Sequence, residues 1–509
     1  MRLNRSENTK RNIIVGEIDK ISGILLPFFV RTMILHVIGA EYLGLTGLFY
    51  SILQMLNLTE MGFGTAIVYS MYQPIAQNDT KMINALLTFY KKVYQRVGIA
   101  VMGVGMALMP FLPRLIHGAV PADINLYLLY LVYLSNSCIG FFVFPERKAL
   151  LIAHQRDDLG ARIHIFTQLG MYLAQAACIL LSKNYYLYAL MMPLSSLWYS
   201  LLCAKQVRKQ YPIYLGGGRI DPGICQEIKK QVIGLTIRKA AVMSRDAFDS
   251  IFVSAFLGLS MTAIYANYYY IMDSVVMILA VVKTSMAGGV GNSIALDSPE
   301  RNLQKMHQID FLFLWISGWC AVCLLCLYQP FMILWLGKNM TLPFEMVVLF
   351  SVYFYVLKMG DIRTLYGESA GIWWQARYLS IAEAAANLCL NWMMVQWMGL
   401  KGIILATLIS YFIFNFIGGA ALLYKYYFTQ GGLAGYMLSH MKYAAVTGVA
   451  GVITYAAAWQ IQIGGLAGFA LKAAVCAVVP NFVFYLAYCK TKDFKDSMTL
   501  LAAVRKIRW

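Results

Sequence analysis

The chain has 509 residues, of which 60% are hydrophobic and 13% charged, with a mean hydropathy of +0.61. That composition excludes a soluble globular protein and a disordered one, and implies a polytopic membrane protein. The net charge of +18 reads as cationic loops that fix orientation and attract anionic lipid headgroups, not as a nucleic-acid surface.

A bilayer core of about 30 Å needs about 20 apolar residues at 1.5 Å per residue. Fourteen stretches qualify. The first six are 13–38, 44–71, 93–113, 124–144, 161–182 and 185–205. After a polar break come 231–256, 262–288, 310–336, 343–366, 376–398, 402–425, 436–460 and 464–488. The first span carries Glu17, Asp19, Lys20 and Arg31, so it is expected to stay in the mature chain rather than act as a cleaved signal. An even number of spans puts both termini on one side. The loops of that side hold Lys91, Lys92, Arg147, Lys148, Arg208, Lys209, Lys229 and Lys230, whereas the opposite loops hold Arg114, Lys183, Lys338 and Lys401. Because cationic loops resist translocation, both termini are expected to be cytoplasmic.

Two halves resemble each other. "LHVIGAEYLGLTGLFY" (35–50) and "VSAFLGLSMTAIYANYY" (253–269) each place a glycine-bearing turn between long apolar helices, and Gly39 and Gly258 are 219 positions apart. "MPFLPRLIHG" (109–118) returns as "QPFMILWLG" (329–337), with Pro110 and Pro330 offset by 220. The expected fold is therefore an all-α polytopic membrane protein of about fourteen transmembrane helices. Two six-helix repeats would surround a central cavity, with two extra C-terminal helices. The expected divisions are an N-terminal bundle at 1–205, a cytoplasmic linker at 206–230, a C-terminal bundle at 231–425, and two additional helices with a basic tail at 426–509. Within the tail, 490–509 reads either as a basic amphipathic helix with Phe494, Met498 and Leu501 on one side, or as an unstructured end.

Charges inside apolar spans are the strongest functional signal, because an ionised group facing hydrocarbon costs about 2.5–3.5 kcal/mol even on insertion scales. Span seven holds Arg238, Lys239, Arg245, Asp246 and Asp249 in "IRKAAVMSRDAFDSIF" (237–252). Arg238 and Arg245 fall near one face, and Asp249 lies one turn beyond Arg245. In span one, Glu17 and Lys20 can pair, while Arg31 has only apolar neighbours at helical spacing; Lys20 and Arg31 fall on one face. Asp273 in span eight has no cation at helical spacing. Arginine's planar fork suits phosphate oxygens, so Arg31, Arg238 and Arg245 are candidate ligand contacts, with Lys20 and Lys239 secondary. Tyr268 and Tyr269 in "YANYYYIMD" (265–273) could stack on sugar rings or serve an aromatic belt. Lys358, Asp361, Arg363 and Glu368 are expected to form a solvated cytoplasmic network. Cys320, Cys323 and Cys326 are spaced like metal ligands but lie in an apolar span with no fourth ligand nearby, so no metal site is expected. "GGGRIDPG" (216–223) follows no strand and lacks the Lys-Ser/Thr of a phosphate loop.

Several stretches, "GAEYLGLTGLFYSILQMLNLTEMGFGTAIVYSMYQPIAQND" (39–79), "AHQRDD" (153–158), "FDSIFVSAFLGL" (248–259), "GWCAVCLLCLYQPFMILWLG" (318–337) and "KMGDIR" (358–363), resemble bacterial Wzx-type polysaccharide flippases of the multidrug, oligosaccharidyl-lipid and polysaccharide exporter superfamily. The resemblance implies translocation of an undecaprenyl-diphosphate-linked oligosaccharide across the bacterial inner membrane for capsule or another surface glycan. It also implies contact with membrane lipids and glycan-polymerase machinery. In the family's lipid II flippases, cations on the first, second, seventh and eighth helices line a central cavity. By position this points to Arg31, Arg238 and Arg245, with Lys20 and Lys239 weaker; span two has no Lys or Arg. The alternatives are a lipid II flippase, a drug or cation antiporter of the same superfamily, and a membrane glycan polymerase. No cofactor or nucleotide-binding motif is expected. A cation gradient or membrane potential would then supply energy, with Asp249 and Asp273 as candidate coupling residues.

Overall fold

The computed structural model describes residues 5–57, 60–118, 120–214, 216–223, 225–226, 247–372, 375–429 and 432–506. Among them the regular structure is entirely helical. Seven helical runs are long and apolar enough to cross a membrane: 80–115, 157–182, 185–210, 259–296, 299–336, 400–426 and 465–488. A bent pair, 126–142 with 145–153, makes an eighth if counted as one span. The chain divides into two compact units, Met1–Ala263 and Ile264–Trp509.

Unit one starts with α1 (Arg5–Val37), α2 (Ala40–Leu56), α3 (Glu60–Gln77) and α4 (Thr80–Leu108), and a 3-10 turn (Met109–Leu115) extends α4. The single apolar interval 44–71 is thus split between α2 and α3. Next come α5 (Leu126–Phe142), the short α6 (Pro145–Ala153) at 55° to it, α7 (Asp157–Ser182) and α8 (Tyr185–Gln210). The bend falls at Phe144, whose left-handed φ of 51° reorients the chain just before Pro145 starts α6. Side-chain caps set three of the helix starts. Asp79 accepts from Met82 N at 2.9 Å, Asn125 from Tyr127 N and Leu128 N at 3.1 Å, and Asn184 from Tyr186 N at 2.9 Å.

The described part of span seven is α9 (Ala247–Leu257), which belongs to unit one. Gly39 (φ 140°) and Gly258 (φ 88°), the matched glycines, each break a helix where a side chain would be strained, and a side chain at Gly258 would also collide with His117 O. The matched prolines differ: Pro110 opens the 3-10 turn after α4, whereas Pro330 sits inside a continuing helix. The next helix, α10 (Leu259–Leu296), begins against α2 so closely that only a glycine fits at Gly44, facing Leu259 O. Within the segment 206–230, α8 continues to Gln210, and the described residues 211–214 and 216–218 run along α4 and α6. Arg147 Nη1 donates to Tyr214 O at 2.8 Å, and Gly216 N and Gly217 N donate to Asn84 Oδ1 and Thr88 Oγ1 at 3.0 and 2.7 Å. Burial beside Tyr211 and Tyr214 pushes the His154 pKa below the usual histidine value.

Unit two contains most of α10, then α11 (Pro299–Leu336), α12 (Phe344–Met359), α13 (Asp361–Ser369), α14 (Arg377–Met398) and α15 (Leu400–Ser410). A π-helical stretch (Tyr411–Gly418) leads into α16 (Gly419–Tyr426), followed by α17 (Leu433–Trp459), α18 (Gly465–Tyr488) and α19 (Lys492–Lys506). The two additional C-terminal helices pack on α11 around Phe311, Val322, Cys326, Ala450, Cys476 and Phe484. Trp315 Nε1 and Trp319 Nε1 lock this layer by donating to Asn481 Oδ1 and Cys476 O, both at 2.8 Å. Cys326 is core filler, and no metal-type cluster of His, Cys, Asp or Glu occurs among the described residues. The tail segment is helical as α19. It docks on the protein through Phe494, beside Trp315, and through Ser497, whose hydroxyl donates to Gln308 O at 3.1 Å.

Candidate functional site

The cationic residues picked from the sequence fall into two groups. Arg238, Lys239 and Arg245 lie outside the described residues. Arg31 is half-buried on α1 and near enough to Tyr50 (α2) and Tyr188 (α8) to act electrostatically on both phenols. Lys20 pairs with Glu17 at 3.0 Å on an exposed face, the i,i+3 pairing that the sequence suggests. Asp249 on α9 is 1% exposed, while Asp273 on α10 is half-buried.

The two tyrosines separate. Tyr268 is fully buried in unit two beside Tyr328 and Phe350, with ring centroids 5.2 and 5.7 Å away. Its hydroxyl donates to Gln329 Oε1 at 3.3 Å and accepts from Leu342 N at 3.1 Å, so it ties α10 to α11 and to the residues just before α12. Tyr269, the next residue, is half-buried against Tyr265.

Unit one contains a partly open polar cavity of about 360 Å³ lined by α2, α4, α5, α6, α7 and α8. Its wall is rich in hydroxyls, with Tyr50, Tyr90, Tyr94, Tyr199, Ser195 and Ser196 among the lining groups. Helix packing fixes several of them: Ser196 Oγ donates to Asn136 Oδ1 at 2.6 Å, Ser195 Oγ to Thr167 O at 3.2 Å, and Tyr90 stacks on Tyr94 at 4.2 Å. Charge gathers at the margins. Lys148 and His164 line the cavity; His164 Nδ1 lies 2.7 Å from Asp19 Oδ1 of α1, and Lys148 Nζ sits 5.8 Å from the Tyr199 ring centroid. Asp19 and Arg31 are twelve residues apart, about 18 Å along one helix. A hydroxyl-lined space with ionic groups at its edges can solvate a hydrated polar ligand or ion without leaving a polar group unpaired.

Sequence reasoning passed over His164, Lys148 and Tyr199. Its only available signal was polar residues recurring on one face of "DDLGARIHIFTQLGMY" (157–172), where His164, Gln168 and Tyr172 are four apart.

Unit two holds its polar groups differently. Asp361 is gripped by Lys283 at 3.1 Å and Lys358 at 2.8 Å, and Arg363 Nη2 donates to Asn415 Oδ1 at 2.8 Å. Asn415 Nδ2 in turn reaches Glu383 Oε2 at 3.3 Å, and Asn387 Nδ2 reaches Thr407 Oγ1 at 2.9 Å. Lys358 and Arg363 are 4% and 7% exposed, so the network expected to be solvated is buried. The i,i+4 ladder Glu383–Asn387–Asn391 in an apolar span was its readable signature.

No protein-family model matches the sequence, and no curated protein matches it. The fold, however, is similar to several solved transporters. The lipid II flippase MurJ in an inward closed conformation superposes with a TM-score of 0.68 at 12% identity, covering 93% of this chain and 98% of that one. An inward-facing multidrug resistance MATE family transporter of the MOP superfamily gives 0.64 at 12% identity, covering 82% and 98%. A MOP superfamily transporter from Pyrococcus furiosus, described by the reverse polarity of its binding pocket, gives 0.55 at 12% identity over 82% and 96%. The chain therefore has the multi-pass helical fold seen in MOP superfamily transporters.

Proposed function

We propose that this chain is a flippase that moves an undecaprenyl-diphosphate-linked oligosaccharide from the inner to the outer leaflet of a bacterial inner membrane, for capsule or another surface polysaccharide, by alternating access. The observation that carries the reading is the likeness to a lipid II flippase over nearly the whole of both chains. It is joined by a half-buried arginine, Arg31, within electrostatic reach of Tyr50 and Tyr188. A diphosphate cannot cross hydrocarbon unaided, and fixed guanidinium groups in a wet cavity offset its dehydration, while the polyprenyl tail stays in lipid. Arg31, Arg238 and Arg245 are the proposed head-group contacts, with Lys20 and Lys239 secondary and Tyr269 a sugar contact. Energy would come from a cation gradient or the membrane potential, and Asp249 and Asp273 are the coupling candidates. Both termini are placed in the cytoplasm, and polymerase machinery would take up the product.

The test is the lipid-linked intermediate that accumulates in cells lacking the protein. An undecaprenyl-diphosphate oligosaccharide on the inner leaflet, cleared by the wild-type gene but not by Arg31→Ala, Arg238→Ala or Arg245→Ala, is the expected result. Accumulated lipid II would identify the alternative flippase. Normal glycan with raised sensitivity to toxic cations would instead favour the antiporter, a second reading to which the likeness to a MATE transporter belongs. Glycan lengthening by the purified protein would favour a polymerase.

A further inference from the structure

In unit two, α17 meets α11 and the α12–α13 junction at one histidine. His440 is 1% exposed and Asp310 3%. Nδ1 of His440 lies 3.0 Å from Tyr436 O on its own helix. Nε2 lies 3.1 Å from Asp310 Oδ2 of α11 and 3.1 Å from Met359 O at the end of α12. All three partners are oxygen acceptors.

A neutral imidazole has one N–H and one lone pair, so it can satisfy only one of these directions. With the hydrogen on Nδ1, the Nε2 lone pair faces two oxygens; with it on Nε2, the Nδ1 lone pair faces Tyr436 O. In a low-dielectric interior such a mismatch forfeits a hydrogen bond and adds repulsion. One additional proton on the line between Nε2 and Oδ2 relieves the conflict: on the ring it gives all three acceptors a donor, and on the carboxyl it satisfies Tyr436 O and Asp310 and leaves only Met359 O opposite a bare nitrogen. The pair then has no net charge, the state a buried site favours.

The charged and titratable surroundings do not supply a substitute. On α11 stands His307, whose Nε2 is 3.2 Å from Tyr424 OH of α16. From α12 and α13 come Lys358, held by Asp361, and Arg363, held by Asn415. Tyrosines complete the shell: Tyr355 and Tyr366 from α12 and α13, Tyr411 and Tyr424 from the π-helical stretch and α16, Tyr436 and Tyr443 from α17, and Tyr488 from α18. Tyr443 OH donates to Asp493 Oδ2 of α19 at 2.6 Å, where Asp493 is exposed. Asp310 Oδ1 is buried with no hydrogen-bond partner among the described residues.

We propose that Asp310 and His440 form a proton-binding site in unit two that holds one shared proton through neutral pH, and that losing this proton loosens α17 from α11 and from the α12–α13 junction. The inference stands apart from the identity of any transported substrate.

Nuclear magnetic resonance on the full-length protein in lipid nanodiscs tests it. Ser439–His440 is the one Ser-His dipeptide in the sequence. Labelling serine with ¹³C and histidine with ¹⁵N therefore identifies His440 without a variant. At pH 7.5 the expected result is either two protonated ring nitrogens, or a neutral ring with a protonated carboxyl band in the infrared that D310N lacks. A ring with one bare nitrogen beside an ionised carboxylate would overturn the proposal. Thermal unfolding gives a second reading. Because the folded state holds the proton more firmly than the unfolded chain, the stability it contributes is complete at low pH and lost as pH rises through its release. The melting temperature of the wild type should show that fall and H440Q should lack it; an identical fall in both would also overturn the proposal.

Discussion

Units one and two bury polar side chains in opposite ways. Unit one leaves a polar space of about 360 Å³ walled by tyrosine and serine hydroxyls, with Lys148, His164 and Asp19 at its margin. Unit two closes its charges on one another in Lys283–Asp361–Lys358 and Arg363–Asn415–Glu383, beside a packed layer of Phe311, Trp315 and Phe484. Polar groups around water can exchange partners at little cost, whereas groups sealed in protein demand one geometry. Unit one therefore has polar space left over, whereas cavities in unit two are lined mainly by apolar side chains and its charges are closed on one another.

The contrast can be broken experimentally, and the largest effect is expected in unit two. Arg363→Ala removes the cation from a buried chain and should cost about 3–5 kcal/mol, read as a large drop in the midpoint of unfolding in detergent. A loss below about 1 kcal/mol would mean that the network is hydrated after all. Next comes Gly44→Val, which drives a side chain into Leu259 O where α2 meets α10; overpacking should cost about 1–3 kcal/mol in the same assay. In unit one, Ser196→Ala deletes one wall hydroxyl and should lower stability by about 1 kcal/mol or less while reducing transport in reconstituted vesicles. Unchanged transport would demote the cavity. Lys20→Ala breaks an exposed pair and should shift stability by about 0–1 kcal/mol.

One pH effect lies outside the helices that cross the membrane. Lys305 at 2.6 Å, then Ser293 and Arg301, hold the Asp297 carboxyl below the usual carboxylate range at the α10–α11 turn. A lowered pKa in the folded state contributes stability above the unfolded value, and that stability is lost as pH falls through the folded one. Acid unfolding of wild type against Asp297→Asn should diverge at neutral pH and converge below that range.

Much of this contrast was hidden in the sequence, for identifiable reasons. The Glu17–Lys20 pair was readable because helical neighbours are fixed by spacing alone. The breaks at Gly39 and Gly258 were readable because each glycine interrupts an apolar run. Asp19 and His164 are 145 positions apart, and no periodicity joins them. The bend at Phe144 depends on a left-handed residue that carries a bulky side chain, which local propensity argues against. Lys358 and Arg363 look like an aqueous cluster until Lys283 and Asn415, from distant helices, are folded over them.

By itself the sequence determined an all-helical chain built to cross a bilayer repeatedly, since run length, hydropathy and glycine breaks act within a few turns of one helix. Tertiary structure alone decided which charges are paired, which tyrosines are sealed like Tyr268, and where a cavity remains. Those outcomes depend on helices distant in sequence meeting at particular rotations about their axes, and a rotation of one residue step replaces the facing side chain.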